Sequence, residues 1–302
     1  MRRRGRPDPQ GARGAWGEDG RKRPGRPRGG KDAGRRQGGG ERLHKALARM
    51  GLGSRRELEA RIAAGRIRVE GHPARAGERV WPGDRVRIDG RELRIRAPGR
   101  RPSRVIAYNK PEGELVTRRD PGGRPSVFDR LPRARGGRWV AVGRLDINTS
   151  GLILFTDDGE LAHRLMHPSR ALEREYAVRV FGEVPPEALA RLRSGVELED
   201  GPGRFLSVNE AGGEGRNRWY RVVIAEGRKR EVRRLWEAVG VRVSRLIRVR
   251  YGNVELGPRL FKGRWRELRP EEREGLLRLA GQVEEAPPRP ARSGPPGRSG
   301  RR

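Results

Sequence analysis

Large apolar side chains are almost absent from both ends of this 302-residue chain, so only its middle can form a hydrophobic core. Residues 1–40 contain two of them, Met1 and Trp16, among 13 Lys or Arg and 12 Gly. Residues 286–302 contain none and are mainly Arg, Pro and Gly. Such segments cannot bury enough surface to offset the loss of chain entropy. We therefore expect disordered basic tails at residues 1–40 and 281–302.

The formal net charge of +32 is shared between these tails and the middle of the chain. An excess this large predicts a polyanionic partner, either nucleic acid or an anionic membrane surface. No apolar stretch is long enough to cross a bilayer, and no apolar segment follows the Arg-rich N-terminus as a secretory signal requires. We therefore expect a cytoplasmic protein that binds nucleic acid rather than a membrane.

Several kinds of chemistry are excluded by composition and spacing. The chain has no cysteine, which removes disulfides, thiolate catalysis and cysteine metal sites. Of the four histidines, only His163 and His167 have helical spacing, and no glutamate follows His163 as in metalloproteases. The glycines form no phosphate-binding loop at a strand–helix junction. We expect neither a metal nor a cofactor.

Residues 41–97 are predicted to form a small independent module. Apolar residues recur at helical spacing over 43–50. Ser54 and Glu57 then have the spacing of a capping box that opens a second helix. Alternating apolar residues over 67–88 indicate short strands. The module should therefore consist of two helices followed by a small curled sheet.

Most of the charges on these two helices are positive. A charge run is usually only a solvated face, but a single sign favours contact with phosphate. The candidate RNA-binding residues of the module are Arg42, Lys45, Arg49, Ser54, Arg55, Arg56 and Arg61.

A Pro- and Gly-containing linker over 98–103 leads into a second domain at 104–280. Strands outnumber helices in this domain, which predicts an α+β fold on a mostly antiparallel sheet. The predicted strands are 105–109, 139–142, 152–155, 176–181, 219–225 and 246–251, and the predicted helices are 159–166, 186–193 and 229–239.

Three segments of this domain are candidates for chemistry. Asp146 stands beside Arg144 in a polar loop between apolar strands, where it is either a catalytic carboxylate or a turn residue that caps backbone amides. Tyr176 begins a strand, where it either stacks on a base or packs ordinarily. Residues 228–230 put cations at the start of a predicted helix, which suggests an external phosphate or a catalytic carboxylate there.

Together these segments resemble the motifs of ribosomal RNA pseudouridine synthases, and most closely those of the branch that modifies large-subunit RNA, the synthase B type. The motifs read GRLDINTSGL at 143–152, EREYAVRVFG at 173–182 and EGRKREVRRLWEAVG at 226–240. The N-terminal module resembles the RNA-binding domain named after ribosomal small-subunit protein S-four. The resemblance covers about residues 41–270.

The resemblance implies a mixed, mostly antiparallel sheet with the active-site cleft across it. It also implies that a uridine of ribosomal RNA becomes pseudouridine without a cofactor or metal. By position, Asp146 matches the essential carboxylate, Tyr176 the aromatic residue that stacks on the flipped uracil, and Arg233 the basic residue paired with the aspartate. Arg230 is the alternative to Arg233. Arg144 and Lys110 would either contact RNA phosphate or shape the Asp146 loop. The remaining candidates for RNA contact are Arg228, Lys229 and Arg230.

Two other functions stay open. The enzyme could act on small-subunit RNA, or the fold could serve a non-catalytic assembly factor that only binds ribosomal RNA. We expect a monomer, because the chain has no coiled-coil heptads and no large apolar surface stripe.

Overall fold

The structure is a computed structural model that describes residues 39–97, 102–135 and 137–282. The predicted tails lie almost entirely outside the described residues, as does most of the predicted linker. No helix within the described ranges is long and apolar enough to cross a membrane.

The N-terminal module consists of a short strand, two helices and five further short strands. These are β1 (Glu41–Arg42), α1 (Leu43–Arg49), α2 (Arg55–Ala63), β2 (Ile67–Val69), β3 (His72–Pro73), β4 (Arg79–Val80), β5 (Arg85–Ile88) and β6 (Arg91–Arg94).

The predicted capping box is present at the start of α2. The Ser54 hydroxyl accepts from the Glu57 amide at 3.1 Å, and the Glu57 carboxylate accepts from the Ser54 amide at 3.3 Å. The apolar sides of both helices pack on alternate residues of β2 and β5. Strands β3, β2, β5 and β6 form one antiparallel sheet, and β1 pairs with β4.

The second domain contains nine strands and four helices within the described residues. The strands are β7 (Val105–Lys110), β8 (Val140–Val142), β9 (Ser150–Thr156), β10 (Arg174–Phe181), β11 (Ser207–Glu214), β12 (Asn217–Ile224), β13 (Val243–Tyr251), β14 (Val254–Glu255) and β15 (Trp265–Glu267). The helices are α3 (Gly159–Met166), α4 (Pro186–Ser194), α5 (Glu231–Glu237) and α6 (Pro270–Leu279).

These strands form one mixed sheet in the order β11-β12-β10-β13-β9-β7-β15, with β14 beside β13 and β8 beside β9. Every pairing is antiparallel except that of β13 with β9, which joins only two residue pairs. The predicted α+β class with a mostly antiparallel sheet is therefore confirmed. Strand β11 was not predicted, because its sequence SVNEAGGE is polar and its residues are mostly exposed.

The sheet has two apolar clusters on the face that carries Tyr176. One, which we call the α5 cluster, is built from β10, β12, β13 and α5 and includes Trp236. The other, the Phe155 cluster, is built from alternate residues of β7 and β9 and from the segment around Trp139. Tyr176 packs against both clusters. The opposite face, which carries Ala107 and Leu154, is covered by α3 and α6.

Candidate active site

Four residues lie in register across four neighbouring strands of the sheet. Lys110 on β7 pairs with Gly151 on β9, Gly151 with Arg248 on β13, and Arg248 with Tyr176 on β10. Neighbouring strands are about 4.8 Å apart, so Gly151 and Tyr176 are separated by about 10 Å. The row therefore brings the end of the Asp146 loop close to Tyr176, although 25 residues separate Gly151 from Tyr176 along the chain.

The loop at residues 143–149 positions Asp146 at one end of this row. Leu145 is buried in the Phe155 cluster and anchors the loop there. The Thr149 amide donates to the Asp146 carbonyl at 3.0 Å and closes a tight turn. Asp146 itself is half-buried, and the neighbouring Arg144 is exposed. Asp146 thus lies at the boundary between protein and solvent, where a ligand can reach it.

Lys110 is completely buried beneath the Asp146 loop. Its ammonium nitrogen lies 3.1 Å from the carbonyl oxygen of Asp146, and the carbonyls of Pro111, Ile147 and Thr149 are 2.8–3.3 Å away. Burial lowers the pKa of Lys110 to about 8, although Glu114, Asp146 and Glu112 favour its charged form. Of the two roles open from the sequence, this placement fits shaping the loop and leaves no route to an RNA phosphate.

Arg233 on α5 binds the same loop from the other side. Its Nη2 donates to the Asn148 carbonyl at 2.9 Å and its Nη1 to the Val243 carbonyl at 3.1 Å. The side chain is buried, and burial lowers its pKa while nearby Asp146 partly opposes that shift. Within the described ranges Arg233 binds the loop backbone and forms no ion pair with Asp146. Asp146 is near enough to favour its charged form, and a pairing of the two side chains stays a prediction.

Arg248 was not found from the sequence, although it belongs to the site row. It is 2% exposed, and its Nε donates to the Leu152 carbonyl at 2.7 Å. The only signal in the sequence is an arginine inside the apolar strand LIRVRY, where a buried charge needs a partner. With Lys110 and Arg233 it forms a set that we call the loop-holding cations, because all three bind carbonyls of residues 146–152.

Some of the buried polar atoms that lack a hydrogen-bond partner among the described residues lie at this set, and others lie elsewhere in the fold. Among the described residues, four buried polar atoms of the site lack any hydrogen-bond partner: Thr149 Oγ1, Ser150 Oγ, Arg233 Nε and Arg248 Nη2. Buried polar groups in proteins are normally satisfied, so such a group of exceptions is typical of a functional site.

Tyr176 faces this region from β10, at a point where the pairing with β13 shifts register between Glu175 and Tyr176. A bulge of this kind turns a strand and redirects its side chains. The ring is half-buried and rests on both apolar clusters, so part of its surface remains accessible. The structure therefore brings Tyr176, Arg233 and the Asp146 loop into one region, and the catalytic roles that the resemblance implies for these residues stay predictions.

Comparison with known proteins decides the family. Residues 104–238 match the family model described as RNA pseudouridylate synthase, and residues 41–86 match the S4 domain. The chain is 62% identical over 230 residues to ribosomal large subunit pseudouridine synthase B of Escherichia coli (strain K12), covering 76% of this chain and 79% of that protein. The chain belongs to the RNA pseudouridylate synthase family.

Two further similarities agree with this assignment. Ribosomal large subunit pseudouridine synthase B of Haemophilus influenzae is 59% identical over 244 residues, which cover 80% of this synthase and 68% of that one. A crystal structure of a pseudouridylate synthase superposes with a TM-score of 0.55 at 26% identity, covering 78% of this chain and 99% of that chain. The resemblance noted in the sequence is thereby confirmed, and the synthase is an enzyme that acts on RNA.

The cations before α5 are arranged differently in the synthase from what the sequence predicts. The helix begins at Glu231 rather than at residue 229, because Arg230 takes a left-handed conformation with φ of 52°. The buried Glu231 carboxylate folds back and accepts from the Arg228 amide and Nε, both at 2.9 Å. Asp200 binds both Arg228 and Arg234. The expected external anion is therefore replaced, for Arg228, by carboxylates of the protein.

Because of this network, the three residues of the segment that we predict to contact RNA differ in how many donors they have free. Every guanidinium nitrogen of Arg228 binds a protein acceptor, so few donors remain for RNA. Lys229 is exposed, and Arg230 is exposed with only Glu237 at 3.7 Å. RNA contact by Lys229 and Arg230 stays a prediction.

The predicted RNA-binding residues of the N-terminal module also divide into those that bind protein groups and those that are exposed. Lys45 binds Glu160 of α3 at 2.8 Å, Arg49 binds Glu41 at 2.9 Å and Arg61 binds Glu57 at 2.7 Å. The Ser54 hydroxyl is occupied by the helix cap. The exposed members are Arg42, Arg55 and Arg56.

The sequence contains one histidine pair at helical spacing, and we do not expect this pair to bind a metal. His163 and His167 lie with ring centroids 5.7 Å apart. In the part of the chain that the structure describes, no group of three His, Asp or Glu could hold a metal ion.

Proposed function

We propose that this synthase converts one uridine of large-subunit ribosomal RNA into pseudouridine, with Asp146 as the essential carboxylate. The observation that carries the proposal is the Asp146 loop itself, which buried cations hold in place opposite the accessible ring of Tyr176. The identity to relatives named for the large subunit favours that RNA over the small-subunit alternative.

The reaction is an isomerisation, so no atom enters or leaves the RNA apart from protons. The bond between N1 of uracil and C1′ of the ribose breaks, the base turns, and C5 bonds to C1′. C5 then loses its proton and N1 gains one. Asp146 would either attack C1′ or abstract a proton from the sugar, and both roles require its carboxylate within contact distance of the ribose.

A uridine inside folded RNA must leave its stack before its sugar can reach Asp146. Aromatic side chains commonly hold such flipped bases by stacking. Tyr176 is placed for this, because its ring is supported from below by two apolar clusters and lies beside the Asp146 loop. We assign it the stacking role, and we assign Arg233 the role of a positioning residue that holds the loop.

The proposal extends to the working form of the enzyme. We propose a cytoplasmic monomer that needs neither metal nor cofactor, because the isomerisation requires no redox change and no group transfer to a second molecule. Exposed Arg55, Arg56 and Lys229 would contact phosphate groups of the ribosomal RNA.

The test uses Asp146→Asn, which keeps the shape of the side chain and removes its charge. We expect pseudouridine formation on large-subunit RNA to fall by at least about 10²–10⁴-fold, the usual contribution of one acid–base or nucleophilic group. The fold should be unchanged, since the Asp146 carboxylate forms no hydrogen bond within the described ranges, and RNA affinity should not fall, since the substitution removes a negative charge and no cation. The measurement is pseudouridine mapping of ribosomal RNA from cells that lack the gene and from cells that express the variant.

Each outcome of that mapping separates the alternatives. A large-subunit site lost in both strains supports the proposal. A lost site in small-subunit RNA would support the alternative target. If no site is lost in either strain, the fold serves RNA binding and the catalytic proposal is wrong.

A further inference from the structure

Between the Asp146 loop and helix α2 lies a pocket that the mechanism does not use. It has a volume of about 270 Å³ and is lined by residues of the segments 128–134 and 137–139 together with Arg118. Three of its lining residues are arginines, Arg118, Arg133 and Arg138, and none is an Asp or Glu. A concave surface with three cations and no carboxylate is complementary to an anion.

The walls of this arginine pocket are aromatic. The Arg118 guanidinium lies 4.2 Å from the ring centroid of Phe128 and donates to the Trp139 carbonyl. Trp139 is buried and belongs to the Phe155 cluster. Stacking on Phe128 fixes the plane of the guanidinium. The N–H groups that do not bind the Trp139 carbonyl therefore keep fixed directions.

Arg138 has no partner among the residues that the structure describes. It is half-buried, yet within the described residues it forms no hydrogen bond and no ion pair within 4.0 Å. Glu57 of α2 favours the charged form of Arg138 electrostatically, but the oxygens of that carboxylate already bind Arg61 and the Ser54 amide. A half-buried arginine without a partner loses hydration and gains nothing within the fold.

Neighbouring positive charges also disfavour the charged forms of Arg118 and Arg138. Burial lowers the pKa of Arg118, and the charge of Arg138 lowers it further. Burial also lowers the pKa of Arg138, with Arg55 of α2 contributing to the shift. The protein thus holds like charges together, an arrangement that an external anion would relieve.

The position of the pocket indicates which anion it meets. Trp139 is separated from Asp146 by strand β8 and three loop residues, so the two Cα atoms lie within about 24 Å of each other. Arg138, on the other side, interacts with Arg55 and Glu57 of the N-terminal module. An RNA strand that extends from the catalytic site to helix α2 would pass this pocket.

We propose that the arginine pocket binds a phosphodiester group of the substrate RNA on the strand between the target uridine and the N-terminal module. This inference rests on the proposed function, because it assumes that the RNA occupies both the Asp146 site and α2. The pocket would orient the RNA without touching the reacting atoms.

The decisive variant is Arg138→Gln in the full chain, with Arg278→Gln as the matched control. Arg278 lies on α6 across the sheet, is 62% exposed, and its loss removes the same charge. The probe is a large-subunit ribosomal RNA fragment that the wild type converts. We expect Arg138→Gln to raise KM with kcat unchanged, and to lower the slope of log affinity against log salt by about 0.7–0.9, the value for one lost phosphate contact.

A structural role for Arg138 predicts the opposite pattern. Because Arg138 has no hydrogen-bond or ion-pair partner in the described part of the chain, its replacement should leave Tm unchanged or raise it. A fall in Tm of more than about 3 °C, near 1 kcal/mol for a domain of this size, would overturn the proposal. So would a salt slope and KM that equal those of Arg278→Gln.

A second variant tests the other arginine without removing its charge. Arg118→Lys keeps the cation but loses the flat contact with Phe128. We expect weaker RNA binding with an unchanged salt slope, and equal binding would contradict the proposed geometry. If the wild type converts no fragment, the proposed function fails, while the binding measurements still decide whether the pocket meets phosphate.

Discussion

Two sets of cations in this synthase have opposite surroundings. The loop-holding cations are buried and bind backbone carbonyls around Asp146. The cations on α1 and α2 face solvent or bind surface carboxylates. The first set holds the backbone of the Asp146 loop in one shape. The second set leaves positive charge at the surface, where we propose that it contacts RNA phosphates. The difference shows that what a basic side chain does in this protein depends on the group that accepts its hydrogen bonds, since all of these side chains carry the same charge.

The strongest test of this comparison is Arg233→Met. The substitution leaves the carbonyls of Asn148 and Val243 without their donor, and an unsatisfied buried group costs about 1–3 kcal/mol. We expect a loss of about 2–4 kcal/mol in the free energy of unfolding together with a large loss of activity. Urea denaturation and pseudouridine assays provide the two measurements.

The matched control for this variant is Arg230→Met. Arg230 is exposed, and its one ion pair within the described residues, to Glu237, spans 3.7 Å. Exposed pairs contribute about 0–1 kcal/mol, so stability should barely change. Should Arg230→Met abolish activity while Arg233→Met does not, Arg230 would be the residue that serves Asp146.

The next test uses the titration of Lys110. Its pKa in the folded protein is lowered to about 8, against about 10.4 for an unfolded lysine. Between these values the unfolded chain binds more protons at this residue, so linkage makes the free energy of unfolding rise with pH. We expect the stability difference between wild type and Lys110→Met to change by about 2 kcal/mol from pH 8 to pH 10, in favour of the wild type.

Denaturation of both proteins at several pH values in this window measures that difference. The effect belongs to Lys110 alone if it is missing from Lys262→Met, which replaces an exposed lysine. A difference that stays constant with pH would mean that the buried ammonium keeps an ordinary pKa, bound as it is by four carbonyls.

The smallest effects are expected on the helices. Arg56→Gln removes an exposed charge without a carboxylate partner among the described residues, whereas Arg61→Gln removes one already paired with Glu57. Both should leave stability within about 0.5 kcal/mol. We expect the RNA affinity to fall more for Arg56→Gln, with the salt slope lower by about 0.7–0.9. Equal losses measured across a salt series would remove the distinction between the paired and the unpaired cations.

Much of the fold could be predicted from the sequence because its signals are local. Helix α3 begins and ends at the predicted residues, Gly159 and Met166, and the capping box at Ser54 is present. Strand β11 could not be predicted, since its mostly polar residues pair at the edge of the sheet and leave no alternating pattern. The predicted start of α5 was wrong because Arg230 takes a conformation that non-glycine residues rarely adopt.

The site was predicted from motif resemblance, and its contacts were not. Asp146, Tyr176 and Arg233 do lie together, yet whether Arg233 binds a carboxylate or a carbonyl depends on the height of α5 above the loop. Arg248 was missed because its partner, the Leu152 carbonyl, lies 96 residues away in the chain. Pairings across such separations are set by the sheet register, which no local pattern encodes.

The parallel junction of β9 and β13 has a consequence for how this active site can change. A Cβ atom at Gly151 would overlap the Arg248 carbonyl oxygen, so the two strands meet this closely only because a side chain is missing there. The distance between β9, which follows the Asp146 loop, and β13, which pairs with the Tyr176 strand, therefore depends on glycine at position 151. Even the smallest substitution at Gly151, to alanine, would therefore force β9 and β13 apart at the active site.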